Sequence, residues 1–177
     1  VGAIAADDAH TVWEEEASED FHKLVGAPAD QPTRQPILRR VWTRLPLQGV
    51  TVLGGLLTAW ILDRALGEHL DGDADLLRFI PIVIGLAGNV GIQSSTILVR
   101  AFATGEVERD RELSVLRAEV AVGLMIGLIC GAATTLISTT VESDTMETTF
   151  AIAVGAAIAV AVTWAATLGC VVPLVCR

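Results

Sequence analysis

FIPIVIGLAGNVGIQSSTILVRAFATGE, residues 79–106, is the stretch on which the reading of the whole chain turns. From Phe79 to Val99 it carries no charged side chain. At 1.5 Å per residue those about 21 residues reach about 31 Å as a helix, enough to cross the hydrocarbon core of a bilayer. Yet Asn89, Gln93, Ser94, Ser95 and Thr96 occupy its middle and second half. Amides facing lipid are costly, so these side chains are expected to face protein, or water enclosed by protein. Gly85, Gly88 and Gly91 thin the same region and let a neighbouring backbone or a hydrated ion approach closely. Asn89, Gln93 and Thr96 stand at i, i+4 and i+7, on one helix face. That face reads either as glue between helices, at roughly 1 kcal/mol per bond, or as neutral oxygens offered to a hydrated cation. Mg²⁺ sheds its waters reluctantly, so amide and carbonyl groups that touch its hydration shell suit it.

The rest of the chain agrees with a membrane setting. Its 177 residues are 52% hydrophobic with glycine uncounted, above the ordinary soluble range, and the mean hydropathy is +0.57. The fold class expected is all-α, a polytopic helical membrane domain over residues 45–177, with spans at 45–62, 79–99, 118–138 and 149–175. Arg34, Arg39, Arg40 and Arg44 precede the first span, and Arg100, Arg109, Arg111 and Arg117 separate the second from the third. Arg177 follows the fourth, whereas the two remaining loops hold only Arg64 and Arg78. By the positive-inside rule the N-terminus, the loop at 100–117 and the C-terminus are cytoplasmic. The protein is therefore expected in the cell (inner) membrane as a multi-pass chain. The third span repeats GxxxG through Gly123, Gly127 and Gly131, a helix-packing face.

Ahead of the membrane domain, residues 1–6 read as the last strand of an upstream domain. Residues 7–26 form an amphipathic acidic helix, and residues 27–44 a linker rich in proline and arginine. Glu16, Glu19 and Asp20 lie at i, i+3 and i+4 on that helix. Three carboxylates on one face repel one another unless a cation or a basic partner is near. The face is either solvated or bridged by a divalent cation. Glu119, just inside the third span, is expected either to snorkel to water or pair with Arg100, or to line the cytoplasmic mouth.

The net charge of −9 argues against nucleic-acid binding, since phosphate contacts need clustered basic residues. Cys130, Cys170 and Cys176 form no CxxC pair and read as small buried hydrophobes. The sequence holds no HExxH, GxSxG or Walker motif, and no nucleophile–base set with suggestive spacing, so an enzyme is not expected.

Residues 88–107, GNVGIQSSTILVRAFATGEV, resemble the signature of the MgtE magnesium channel/transporter family. The matching positions are Gly88, Asn89, Gly91, Gln93, Arg100, Gly105 and Glu106. The spacing of Glu119 to Gly123 and Gly127 is similar to the family's third helix, and residues 7–27 resemble the end of its second CBS domain and the plug helix that follows. The resemblance implies passive Mg²⁺ conduction by a homodimer in the lipid bilayer, with an upstream cytoplasmic regulatory domain below it. It implies an ion pathway over Gly88, Asn89, Gly91, Gln93 and Thr96. It also implies regulatory Mg²⁺ on Glu16, Glu19 and Asp20, so that Mg²⁺ is both transported and regulatory. Two departures stand out. Ile92 replaces the second Asn that many members carry, and the family's fifth helix, with its pore-entrance aspartate, does not appear before Arg177. Alternative functions are a carrier for another divalent or organic cation, and a non-transporting membrane anchor or sensor.

Overall fold

The structure, a computed structural model, describes residues 12–13, 32–66, 74–107, 110–141 and 148–176. After a short 3₁₀ turn at Pro32–Arg34, four long helices follow: α1 (Ile37–Leu66), α2 (Ala74–Ala103), α3 (Glu112–Val141) and α4 (Thr148–Val175). Each contains a stretch long and apolar enough to cross a membrane, so the chain is an all-α, multi-pass membrane protein. The described residues contain no strand. The strand expected at 1–6 lies outside the described residues. So does the acidic helix at 7–26, except for Val12 and Trp13, which are helical and exposed.

α1 packs along α2 and α3, and α4 packs along the same two helices, so the bundle runs α1, α2, α4, α3 around its axis. The core fills that ring with Val41 and Val52 of α1, Ile82, Leu86 and Val90 of α2, Val122 and Ile126 of α3, and Ile158 and Val162 of α4. The outer surface is apolar as well: Leu53, Ile84, Leu136, Val160 and Trp164 are all exposed. With no hydrophobic difference between lipid tails and a leucine side chain, close packing and interhelical hydrogen bonds must hold the helices together.

Glycine supplies the close packing. A Cβ on Gly155 of α4 would come within 2.8 Å of the Gly131 carbonyl oxygen of α3, and one on Gly127 within 3.0 Å of the Ala159 backbone. The GxxxG face of α3 is thus laid on α4, where only a backbone without side chains fits. α1 begins at Ile37, directly after Pro36 and well ahead of the apolar span at 45–62. Residues 37–44 belong to the helix rather than to a linker: Arg40 and Arg44 are buried in the bundle, where they pair with Glu119. Pro46 lies within α1 without ending it. α2 ends on Gly105 at φ 69°, with Thr104 N–H donating to the Arg100 carbonyl at 2.8 Å. That left-handed position favours glycine.

Candidate functional site

Arg40, Arg44 and Gln48 recur every four residues along α1 and all point into the bundle, each no more than 1% exposed. They open a polar seam that climbs from the end of the bundle where α1 begins towards its middle. At the lowest level Arg44 grips Glu119 of α3 with two parallel hydrogen bonds, Nη1 to Oε2 and Nη2 to Oε1, both 2.9 Å. Arg40 pairs with the same Oε1, and Ser94 Oγ of α2 donates to Oε2 at 3.2 Å. Three helices therefore meet on one fully buried carboxylate. Two guanidiniums face it, which leaves one positive charge in excess. A buried pair of this geometry does not guarantee stability, but removing one partner leaves a charge stranded at high cost.

At the next level Gln48 Nε2 donates to Gln93 Oε1 at 3.3 Å. Their remaining polar atoms, Gln48 Oε1 and Gln93 Nε2, are buried and unmatched. Above them Asn89 Nδ2 donates to Thr51 Oγ1 at 2.7 Å. Asn89 is half-buried, and no described residue bonds its carbonyl oxygen Oδ1. Beyond this level the seam becomes apolar, with Gly55 against Ile82.

The structure thus divides the polar stripe of α2 between two faces. Asn89 and Gln93 turn towards α1, with the half-buried Thr96 on the same side of the helix by its spacing. Gly88, Gly91 and Ser95 line an open groove against Ala165, Leu168 and Gly169 of α4, about 590 Å³ in volume and mainly apolar. Gly88, Ile92 and Ser95, which line that groove, continue with Val99 along an outward strip of α2, where Ile92 is 60% exposed. Asn89, half-buried, directly follows Gly88 of that strip in the chain.

Glu119 has its bonds with Arg40, Arg44 and Ser94; its partners are the arginines of α1, which the charge count alone reads as markers of topology. The signal for them is their spacing, because Arg40, Arg44 and Gln48 form one helical stripe. Glu106, the acidic member of the Gly-Glu pair, accepts a hydrogen bond from the Thr33 hydroxyl and so ties the α2–α3 turn to the segment before α1. Glu16, Glu19 and Asp20 lie outside the described residues. Among the described residues no three His, Cys, Asp or Glu side chains come together as a metal-binding group.

Comparison with known proteins agrees with this architecture. The model of the MgtE family, described as divalent cation transporters, matches residues 80–177, from α2 to the end of the chain. The chain is 34% identical over 131 residues to the magnesium transporter MgtE of Thermus thermophilus, an alignment that covers 72% of this chain and 29% of that protein. It is 30% identical over 132 residues to the magnesium transporter MgtE of Enterococcus faecalis, covering 74% of this chain and 28% of the relative. The alignments thus span under a third of the relatives' length. No solved structure gives a significant match. With a family match over more than half of its length, from the polar stripe of α2 through the glycine face of α3 to the end of α4, the chain belongs to the MgtE family of divalent cation transporters.

Proposed function

We propose that this chain forms part of the membrane domain of a Mg²⁺ channel, in which a hydrated divalent cation passes along the outward strip of α2. The observation that carries the reading is the orientation of Asn89 within a chain of this family. Thr51 holds the amide NH₂, so Oδ1 is the atom left for a cation's hydration shell. The excess positive charge around Glu119 disfavours a cation route through the α1–α2–α3 junction and favours the opposite side of α2. A passage lined by neutral oxygens and glycine backbone suits an ion that keeps its waters. The chain's part in this is transport rather than chemistry on a substrate. In the whole protein the strip would face a further helix and a second protomer, in a homodimer in the cell membrane with its N-terminus cytoplasmic. The acidic helix at 7–26 would close the passage when cytosolic Mg²⁺ occupies Glu16, Glu19 and Asp20.

The test is Mg²⁺ uptake by the full-length protein in proteoliposomes, with Co²⁺ and organic cations as competitors. Uptake that follows the imposed gradient and is blocked by divalent but not organic cations supports a Mg²⁺ channel. Saturating exchange of organic cations indicates the carrier instead. Replacing Glu16, Glu19 and Asp20 by their amides should raise flux at high internal Mg²⁺, and unchanged inhibition would remove the gate from this helix.

A second reading has its own support. The bonds from Asn89 to Thr51 and from Gln48 to Gln93 are the contacts expected of polar residues that only glue helices. Under that reading the chain anchors or senses without conducting, and reconstituted protein shows no cation flux.

A further inference from the structure

Where the 3₁₀ turn, the α2–α3 turn and the first turn of α3 converge, they enclose a half-open cleft of about 390 Å³. Thr33, Arg34, Glu106, Val107, Arg111, Ser114 and Val115 line it. Arg34 and Arg111 are both exposed, and neither has an acidic partner among the described residues. The carboxylate in the cleft, Glu106, is engaged by the Thr33 hydroxyl. Two free guanidiniums therefore outnumber one occupied carboxylate, with the Ser114 hydroxyl alongside. Guanidinium groups bind phosphate through paired N–H donors, and a hydroxyl adds a further donor.

The height of the cleft identifies the source of the phosphate. The membrane-crossing stretches of α1 and α3 begin at Ile37 and Glu112, and that of α2 ends at Ala103, so the cleft lies level with the ends of three spans. Leu38 and Leu113 stand exposed next to it, and Trp42 is 71% exposed about one turn further along α1, where interfacial aromatics belong. An acyl chain has apolar surface to follow away from the cleft. The basic loops put this end on the cytoplasmic side, whose leaflet is rich in anionic lipid.

We propose that the cleft between Arg34, Arg111 and Ser114 binds the headgroup phosphate of an anionic phospholipid. Bound there, the lipid fastens the segment entering α1 to the α2–α3 turn, adding to the Thr33–Glu106 contact. The site is independent of the ion pathway, and its test does not require transport.

The experiment is native mass spectrometry of the delipidated full-length protein titrated with phosphatidylglycerol or phosphatidylcholine. Wild type should retain phosphatidylglycerol selectively, and Arg34→Gln with Arg111→Gln should weaken it by about fivefold for each guanidinium lost, the scale of one basic side chain near an anionic lipid. Arg39→Gln with Arg117→Gln, exposed arginines outside the cleft, should leave retention unchanged. An unaltered thermal midpoint of the Arg34→Gln/Arg111→Gln protein shows that it is folded. Ser114→Ala should also weaken retention without removing charge. Equal loss in the Arg39→Gln/Arg117→Gln control, or no preference over phosphatidylcholine, overturns the site. Displacement of the lipid by equimolar inorganic phosphate overturns the lipid as its occupant.

Discussion

Glu119 shows how a single residue can join a bundle that has no hydrophobic force to hold it. Its carboxylate receives bonds from α1 and α2 while sitting on α3, fully out of solvent. Glu119→Ala in the full-length protein should cost about 3–5 kcal/mol, because two guanidiniums are left buried without a counter-charge. Adding Arg40→Met and Arg44→Met should recover most of that loss, since an apolar replacement for a whole buried ionic group is often neutral. Thermal denaturation in detergent measures both. A loss below about 0.5 kcal/mol for Glu119→Ala would mean that the three-helix junction is not held by charge. The presence of a carboxylate at this depth is plain in the sequence. Its partners are harder to see. Arg40 and Arg44 come before the first apolar run, so hydropathy assigns them to the membrane surface, and only their four-residue spacing with Gln48 reveals a buried stripe. Pairing across some 75 positions of chain is a property of the packed helices, not of any local pattern.

At the scale of the helices, glycine placement separates packing faces from free ones. α3 lies on α4 through Gly127 and Gly131, where a Cβ would meet backbone atoms. Gly54 of α1 has nothing within 4 Å of the position a Cβ would take. Gly131→Ala should therefore destabilise by about 1–3 kcal/mol through overpacking. Gly54→Ala should be neutral or stabilise by up to about 1 kcal/mol, as expected of glycine removed from an open helix surface. The difference between the two melting temperatures tests the packing; equal shifts would mean that α3 and α4 are not in backbone contact. The four helices and the packing role of the GxxxG repeat were legible because apolar length and small-residue spacing are local signals. The helix starts were less so. α1 begins at Ile37, since burial of Arg40 and Arg44 extends the helix beyond the apolar run. The division of α2 was not legible either: a helical wheel puts Asn89, Gln93 and Thr96 on one face but cannot say which neighbour that face meets.

For the molecule as a whole, four crossing helices of this family present an α2 whose inner face is closed by α1, α3 and α4 and whose outward strip is open. A conducting role for that strip and a gluing role for the amides beneath it need not exclude each other at Asn89, because one end of its side chain is bonded and the other is free. Thr51→Val removes the bond that orients Asn89 and keeps the amide, whereas Asn89→Leu removes both. The most direct measurement is therefore Mg²⁺ flux through the reconstituted full-length protein carrying Asn89→Leu, compared with Thr51→Val at matched thermal stability. Each substitution should cost only about 1 kcal/mol of stability, the scale of one interhelical hydrogen bond. A conducting α2 predicts that Asn89→Leu lowers flux by about tenfold or more, the equivalent of about 1.4 kcal/mol in the barrier, while Thr51→Val lowers it by less. Wild-type flux through Asn89→Leu would contradict the account and leave the polar stripe of α2 as helix glue.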